Sequence, residues 1–262
     1  MTAVVSHEHY RLLRKLDTES RVTAEEKAAI CALPLKTRPF EKRVDLVEQG
    51  DQPHHACLIV EGIVCRYKCL SEGRRQILSV HVPGDLPDLQ SLFLDRMDHG
   101  LATLTKGRAA FIPHPALRRL IEAWPNVAAA LWRDTLVDAS IFRDGMAGLG
   151  RRTARERVAH LICEMAVRLK VLDLVEGTQF LLPLTQTQLA DALGVSNVHI
   201  NRVLKSLRAD GLIRSRGRQV EIVDWPALCA AGDFDLDYLH LRPDAVPDDL
   251  KPPPEKAAPD PA

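Results

Sequence analysis

The sequence of 262 residues contains no long apolar run. None of its apolar stretches approaches the roughly 18 residues that a membrane-spanning helix needs. The N-terminal stretch MTAVVSHEHYRLLRKL also lacks the uninterrupted apolar core of a secretion signal. We therefore expect a cytoplasmic protein without a membrane partner, whose six cysteines are mainly reduced.

Recognisable catalytic patterns are missing too. There is no P-loop, no HExxH zinc motif and no familiar pair of carboxylates, so the sequence does not indicate an enzyme. A net charge is missing as well, because 35 Lys and Arg residues balance 35 Asp and Glu residues. This neutral total hides an uneven distribution: residues 184–218 carry six basic against two acidic side chains, whereas acidic residues dominate from Asp233 onward. The basic segment favours a polyanionic partner.

Residues 184–213 have the spacing of a helix-turn-helix. Thr185 and Gln188 form a capping box for a first helix, and Gly194 ends that helix where a left-handed residue is needed. Ser196 can cap a second helix, whose apolar positions repeat at helical spacing. The predicted inward stripe of the second helix consists of Ile200, Val203, Leu204 and Leu207.

Two short strands around Arg216 and Gly217 follow the two helices, an order that is typical of a winged helix-turn-helix. Short polar side chains at the start of the second helix, with Arg and Lys behind them, suit the bases and phosphates of a DNA major groove. Arg202 is the predicted guanine contact. The residues predicted to bind double-stranded DNA are Thr185, Thr187, Gln188, Ser196, Asn197, Val198, His199, Asn201, Arg202 and Lys205.

The N-terminal half differs in character. In residues 35–113, short segments rich in Val, Ile and Leu alternate with turns that contain Gly and Asp. Strands at this spacing predict a β-sandwich or barrel. The predicted domains are a β-rich unit at 1–123, a long helix with a hinge at 124–150, a winged helix at 151–224 and a disordered, Pro-rich, acidic tail at 225–262.

The long helix carries apolar and small side chains at alternating spacings of four and three, as in a coiled-coil seam. Two hypotheses remain open for this stripe: pairing with a second copy of the chain, or packing against its own domain. Gly148 and Gly150 bracket the predicted hinge. The residues predicted to form a dimer seam are Trp132, Thr135, Ala139, Phe142 and Met146.

Several motifs together resemble the Crp/Fnr family of bacterial transcription regulators. Besides the helix-turn-helix, they are Leu58–Gly62, Gly84-Asp85 and Arg152–Arg157, within a resemblance that spans residues 20–224. It implies an α+β protein with an N-terminal β jelly-roll sensor domain, a long dimerisation helix and a C-terminal winged helix-turn-helix domain. It also implies a homodimer that regulates transcription from an inverted-repeat operator, with RNA polymerase as a partner if the protein is an activator. The alternative hypothesis is a nucleotide-binding regulatory module that acts on a protein partner.

The sensor departs from the cyclic-AMP-binding members of that family. Those members place a Gly-Glu pair and an Arg-Ser pair around the ribose and phosphate, where this sequence has Asp88 and Leu89, then His99 and Gly100. Asp88 would repel a phosphate and no Arg is left to pair with it, so the expected signal is not cyclic AMP. These four positions form the predicted effector pocket, in which His99 beside Asp98 is either a ligand or pH-responsive group or an ordinary loop histidine.

No metal or cofactor is predicted. Oxygen-sensing members of the family bind an iron–sulfur cluster through closely spaced N-terminal cysteines, but Cys31 stands alone in the first fifty residues. Strand geometry would spread Cys57, Cys65 and Cys69 apart. His54-His55 is interpreted as an exposed turn rather than a metal site. Cys69 is either a redox switch or an inert thiol.

The reading helix also departs from well-known members. Their Glu-x-x-Ser-Arg pattern corresponds to residues 198–202 of this sequence. Val198 stands at the position of the Glu that accepts a hydrogen bond from cytosine, and it can offer only apolar contact, for instance to a thymine methyl. Arg202 retains the Arg, whereas Asn201, Asn197 and His199 could contact adenine or phosphate.

Overall fold

The computed structural model describes residues 5–73, 75–175 and 177–251. A β-rich domain, a long helix and a small winged-helix domain follow one another along the chain. The predicted α+β class and the order of its parts are therefore confirmed.

The N-terminal helical stretch is interrupted after its first four turns. α1 (His7–Glu19) begins at Ser6, whose hydroxyl accepts a hydrogen bond from the His9 N–H. α2 (Ala24–Cys31) begins at Thr23 with a complete capping box. The extended backbone at Ser20 separates them, because the capping side chain of Thr23 fixes a new helix start.

Seven strands build the sensor domain. They form two antiparallel sheets, of order β1-β7-β3 and β2-β6-β4-β5. The strands are β1 (Lys36–Phe40), β2 (Asp45–Val47), β3 (His55–Glu61), β4 (Val64–Cys69), β5 (Arg75–His81), β6 (Gly100–Thr103) and β7 (Gly107–Pro113).

Strand β3 lies beside β7 at the edge of its sheet and is buried on both faces, which explains its continuous apolar sequence. One face, which includes Leu58 and Val60, packs in a cluster with α1 and the helices that follow the sheet. The other face, which includes Cys57 and Ile59, packs in the cluster between the two sheets. The alternation of side chains along β3 thus places one set of its apolar residues in each cluster.

Two helices follow β7. α3 (His114–Ala123) ends before Trp124, and α4 (Pro125–Arg151) begins with a proline at its first position, where the missing N–H costs nothing. The predicted hinge at Gly148 and Gly150 is wrong, because α4 runs through both glycines. The break comes at Arg152 and Thr153, where the Thr153 capping box starts the next helix.

The winged-helix domain matches the predicted order of elements. The short strand at Gln179–Leu181 was not predicted, because its three residues are too few to show an alternation of apolar and polar side chains. The domain consists of α5 (Ala154–Lys170), β8 (Gln179–Leu181), α6 (Gln186–Leu193), α7 (Asn197–Ala209), β9 (Ile213–Arg216) and β10 (Gln219–Ile222).

The prediction of disorder from residue 225 is wrong for the part that the structure describes. α8 (Trp225–Gly232) packs on α5, and two short 3-10 turns follow at Asp237–Leu239 and Asp248–Leu250. Phe234 and Leu239 are buried in the same apolar cluster as the winged helix. Composition misled here because a few well-spaced apolar residues suffice to anchor an acidic segment. The run Pro252-Pro253-Pro254 lies outside the described residues.

A continuous apolar cluster joins the sensor to the winged-helix domain. Ile77 and Val80 of β5 belong to it together with Ile162 of α5 and Leu193 of α6. In the described residues, no helix is long and apolar enough to cross a membrane. The contact of β5 with the winged-helix domain places the helix-turn-helix beside the sensor.

Candidate nucleic-acid interface

Local sequence positions both helices of the helix-turn-helix. The Thr185 hydroxyl accepts from the Gln188 N–H, and the Gln188 side chain accepts from the Thr185 N–H at 2.8 Å. Gly194 ends α6 in the left-handed region at φ 63°, and Ser196 accepts from the His199 N–H to start α7. These predicted caps are confirmed. They use Thr185, Gln188 and Ser196 to orient the helix ends.

The inward and outward faces of α7 also divide as the spacing predicts. Ile200, Val203, Leu204 and Leu207 are buried. The predicted reading residues Asn197, Val198, His199, Asn201, Arg202 and Lys205 are exposed, and so is Thr187 at the start of α6.

Val198 is the clearest sign of an unpartnered surface, because 69% of it is exposed although it is apolar. It lies at the second position of α7, where the free N–H groups of the helix N-terminus favour an anionic partner. Asn201 donates from Nδ2 to the Asn197 carbonyl at 3.2 Å, which holds this short polar pair along one edge of the helix. The surface therefore offers an apolar tip, amide groups and basic side chains together.

Further basic residues flank the reading helix. Arg214 is exposed beside Glu221 on the wing, and Arg216 and Arg218 flank Gly217 at the turn between β9 and β10. Arg155 on α5 pairs with Asp210 at 2.7 Å and also bonds Ser206 at the back of α7. Sequence reasoning missed this Arg155 brace, because its partners lie about fifty residues away.

The predicted dimer seam splits into two groups. Trp132, Phe142 and Met146 are 63%, 40% and 58% exposed, so these large side chains have little apolar cover within their own chain. Thr135 and Ala139 are half-buried instead, and Thr135 lines a small cavity together with Arg66 of the sensor. Leu136 and Leu149, at 46% and 42% exposure, complete the apolar stripe of α4.

The four predicted effector positions have separate surroundings in the described residues, and their role as a pocket stays a prediction. Asp88 borders a cleft of about 390 Å³ beside Arg38 and Phe111, and among the described residues the walls of this cleft include none of the other three. His99 is buried against Asp98 and Gln90, and a side chain at Gly100 would collide with the Tyr67 ring at 2.5 Å. Leu89 is buried in the core below α1.

The space between the sheets and α4 is closed by ion pairs. Arg66 of β4 pairs with Asp138 of α4, and Lys15 of α1 pairs with Asp134 of α4 at 2.9 Å. The cavity left among these groups measures about 20 Å³, which is close to one water molecule. A drug-sized ligand needs a pocket of about 300 Å³ or more. The cavity between the sheets and α4 is therefore much smaller than a ligand pocket.

A second ionic group ties the sensor to α5. The buried Arg168 donates from Nη2 to Asp85 Oδ2 at 2.9 Å and from Nη1 to Glu164 Oε1 at 3.0 Å. Burial raises the pKa of Asp85, but the charge of Arg168, the hydrogen bond with His81 and the charge of Lys15 together outweigh burial and leave that pKa well below its ordinary range. Asp85 Oδ2 also accepts from the Val82 N–H, so one carboxylate organises a sensor turn and binds the winged-helix domain.

Replacing Asp88 by asparagine should stabilise the protein in alkaline solution. Burial raises the pKa of Asp88 to about 6, although its Oδ1 accepts from the Cys57 N–H at 2.7 Å. A folded-state pKa above the unfolded value means that stability is lost as pH rises through about 6. An asparagine side chain at this position would keep the acceptor without the charge.

Urea unfolding of Asp88→Asn should show a gain of about 2 kcal/mol at pH 8 that disappears near pH 4. Asp95→Asn, at an exposed position of the same loop, is the control and should change stability little at either pH. A gain of equal size at both pH values would contradict the assignment of a buried charge.

The cysteines and histidines named from the sequence are scattered. Cys57 and Cys65 are buried, and burial raises the pKa of both thiols, to about 11 for Cys65. Cys69 is exposed at the end of β4. His54 and His55 line the cleft beside Arg38. Within the described ranges, no three His, Cys, Asp or Glu residues are grouped in a way that could hold a metal ion.

Comparison with protein families gives two matches. The model for the cyclic nucleotide-binding domain matches residues 37–123, and the model for the Crp-like helix-turn-helix domain matches residues 156–231. The first covers the two sheets and α3, and the second covers the helix-turn-helix, the wing and α8. The nucleotide-binding match thus describes a fold whose central space is filled here by ion pairs.

Individual relatives agree with these matches. The transcriptional activator protein FnrL of Cereibacter sphaeroides is 30% identical over 207 residues, which are 76% of this chain and 82% of FnrL. The transcriptional activatory protein AadR of Rhodopseudomonas palustris is 31% identical over 180 residues, or 66% of this chain and 72% of AadR. The solved structure of FixK2 from Bradyrhizobium japonicum superposes with a TM-score of 0.70 at 26% identity, covering 76% of this chain and 98% of FixK2.

Proposed function

Because this chain belongs to the Crp/Fnr family of transcription regulators, we propose that it binds an inverted-repeat DNA operator as a homodimer. The observation that carries the proposal is the exposed leading face of α7. Its apolar Val198, its Asn201 amide and its basic Arg202 lie in the first half of a helix whose opposite face is buried on the winged-helix core. A surface with apolar, amide and basic groups can contact both the base edges and the phosphates of DNA.

The apolar stripe on α4 supports the dimer. Trp132, Leu136, Phe142, Met146 and Leu149 leave more large apolar surface on one helix than a soluble monomer usually exposes. A second copy of α4 packed along the stripe would cover these side chains by symmetry. It would also place two reading helices for two half-sites about one DNA turn apart.

The relatives named as activators favour activation over repression, with RNA polymerase as the second partner. The same relatives are regulators, and we infer no enzymatic activity. The alternative, a regulatory module that acts on a protein partner, would leave the basic flank of α7 without an anionic target. Salt-dependent binding to duplex DNA separates the two functions, since each phosphate contact releases counterions.

Arg202→Ala should cost about 1–3 kcal/mol of specific DNA binding and relax the preference at one base pair of each half-site. Lys205→Ala, one helical turn further on, is the matched comparison. If Lys205 contacts phosphate, its loss weakens all sequences alike and lowers the salt slope by about one per subunit.

Competitive selection from a randomised duplex library measures both variants of α7. A base preference unchanged in Arg202→Ala would remove Arg202 as a base-reading residue. If Lys205→Ala changes the preferred base, the assignment of the two residues is reversed.

The sensor is proposed to respond to a signal other than a cyclic nucleotide, or to none. Arg66 is paired with Asp138, and Asp88 lines a different cleft, so the ribose phosphate would find no free guanidinium in the central space. Calorimetry with cyclic AMP and with cyclic GMP at micromolar concentrations should give no binding heat. Operator affinity should be the same with and without either nucleotide. Binding heat together with tighter operator binding would contradict the closed site.

A further inference from the structure

The segment that follows α8 lies beyond the residues matched by the helix-turn-helix family model. We call residues 233–251 the clasp. The clasp leaves the winged-helix domain at Asp233, reaches the C-terminus of α1 in the sensor and returns to the winged-helix domain at Leu250, where the Leu250 carbonyl accepts from Trp225 Nε1 at 3.1 Å.

The contact with α1 supplies hydrogen-bond donors and a positive charge to the C-terminal end of that helix. The last turn of α1 contains no basic residue, and a helix C-terminus leaves carbonyl groups without partners within the helix. Arg242 donates from its backbone N–H to the Thr18 carbonyl at 2.8 Å and from Nη1 to the carbonyls of Asp17 and Ser20 at 2.8 and 3.3 Å. A cation at this end of the helix is favoured by the helix dipole. The clasp thus caps a helix that lies more than two hundred residues earlier in the chain.

Near its start, the clasp contacts buried polar side chains of α5. The Tyr238 hydroxyl donates to Glu164 Oε2 at 3.1 Å and lies 3.0 Å from His160 Nε2. Glu164 in turn holds Arg168, which bonds Asp85 of the sensor. Phe234 stacks edge-on against His160 at a centroid distance of 5.2 Å, which seals these groups from solvent.

Between these two contacts, the clasp also bonds to the long helix. Arg133 of α4 donates to the His240 carbonyl at 3.3 Å. One segment of chain therefore bonds α1, α4 and α5, which belong to all three parts of the protein. A segment bonded to all three restricts their relative rotation.

We propose that the clasp holds the winged-helix domain in one fixed orientation against the sensor and α4. Besides the clasp, the links between these parts include the short connection at Arg152 and Thr153, the apolar contact of β5 and the Asp85–Arg168 pair. They also include the Arg14–Asp173 pair at 2.7 Å and the hydrogen bond from Gln76 to the Ala192 carbonyl. This orientation exists in the protein alone, whether or not it binds DNA. Its value for DNA binding, however, rests on the function proposed above, because a fixed orientation spaces the two reading helices in advance.

The test measures the orientation directly. In a Cys31→Ser background, spin labels on the exposed Cys69 and on Arg216→Cys report the distance between the sensor and the wing. Mixing with an excess of unlabelled chain ensures that the measured distances join two labels on the same chain. The double variant Tyr238→Phe/Arg242→Ala should broaden the distance distribution about twofold relative to the parent. Arg21→Ala is the matched control. Arg21 also faces the clasp, but its side chain is 83% exposed and its pair with Asp244, at 4.0 Å, contributes little.

A chain that ends at Leu236 is the second variant. It removes Tyr238 and Arg242 but retains Phe234, which is buried in the winged-helix core. Circular dichroism confirms that each variant is folded. Unchanged distance distributions in both folded variants overturn the proposal, and a broader distribution in either variant but not in Arg21→Ala supports it.

A DNA measurement separates this proposal from the proposed function. The double variant should bind a duplex with two half-sites about tenfold more weakly than the parent, and a duplex with one half-site equally well. Equal loss on both duplexes would overturn the role of orientation in DNA binding. If the parent itself binds neither duplex, the proposed function fails, and the distance distributions alone decide on the clasp.

Discussion

Replacing Phe142 by aspartate should convert the protein from a dimer into a monomer. In the proposed dimer, Phe142 meets its symmetry mate in the middle of the α4 stripe, so the variant would bury two like charges without partners. The cost is about 3–5 kcal/mol for a buried charge that lacks a partner. Operator affinity should fall by about 100-fold, because two half-sites are no longer bound by one linked pair of reading helices.

Sedimentation velocity and operator titration of the same samples measure this effect. Ala147→Asp is the matched control: Ala147 is also exposed on α4, and a separation of five residues along the helix turns it by about 140° from Phe142. The control should remain a dimer with normal operator affinity. A dimeric Phe142→Asp protein would mean that another surface joins the two copies.

Arg168→Met should lower the free energy of unfolding by about 3–5 kcal/mol at neutral pH. The methionine fills a similar volume but leaves the buried carboxylates of Asp85 and Glu164 without their shared cation. Asp85 is already under-satisfied in the parent, since its buried Oδ1 has no hydrogen-bond partner among the described residues. Adding Asp85→Asn to the variant should restore part of the loss, because one unpaired charge is then removed.

The pH dependence of this variant has a definite sign. In the parent, Arg168 helps to keep the pKa of Asp85 low. The ion pair therefore contributes to the free energy of unfolding at pH values above the pKa that Asp85 has in the unfolded chain. This contribution is lost only as the pH falls through the lower pKa of Asp85 in the folded protein. Without Arg168, burial raises the pKa of Asp85 and only His81 and Lys15 are left to oppose it. The deficit of the variant should therefore shrink as pH is lowered from 7 towards 4, in urea unfolding at equal protomer concentration. A deficit that grows on acidification would contradict this account.

The helix-turn-helix could be predicted from local sequence because each of its features depends on neighbours in the chain. A capping box needs only Thr185 and Gln188, and a left-handed helix end needs only Gly194. The inward stripe of α7 follows from the period of 3.6. The turns and strands of the sensor were predictable for the same reason, since alternation and turn residues act over a few positions.

The surroundings of the effector positions and the fold of the tail could not be predicted in this way. Asp88 and His99 are eleven residues apart, yet their surroundings come from separate elements: β3 for Asp88, and the turns around Gln90 and Asp98 for His99. The hinge was misplaced because glycine permits a helix as well as a break.

Local patterns along the chain are therefore sufficient for the order of the domains, the ends of α6 and α7 and the surface that faces outward on α7. The tertiary structure alone shows that Arg168 binds Asp85 across 83 residues and that Arg242 caps α1 across 225 residues. A charged residue in a sequence carries no sign of its partner, because ion pairs and carbonyl contacts form between any segments that packing brings together. Burial then decides what the loss of a partner costs, since an exposed pair contributes little, whereas removing one partner of a buried pair leaves an uncompensated charge.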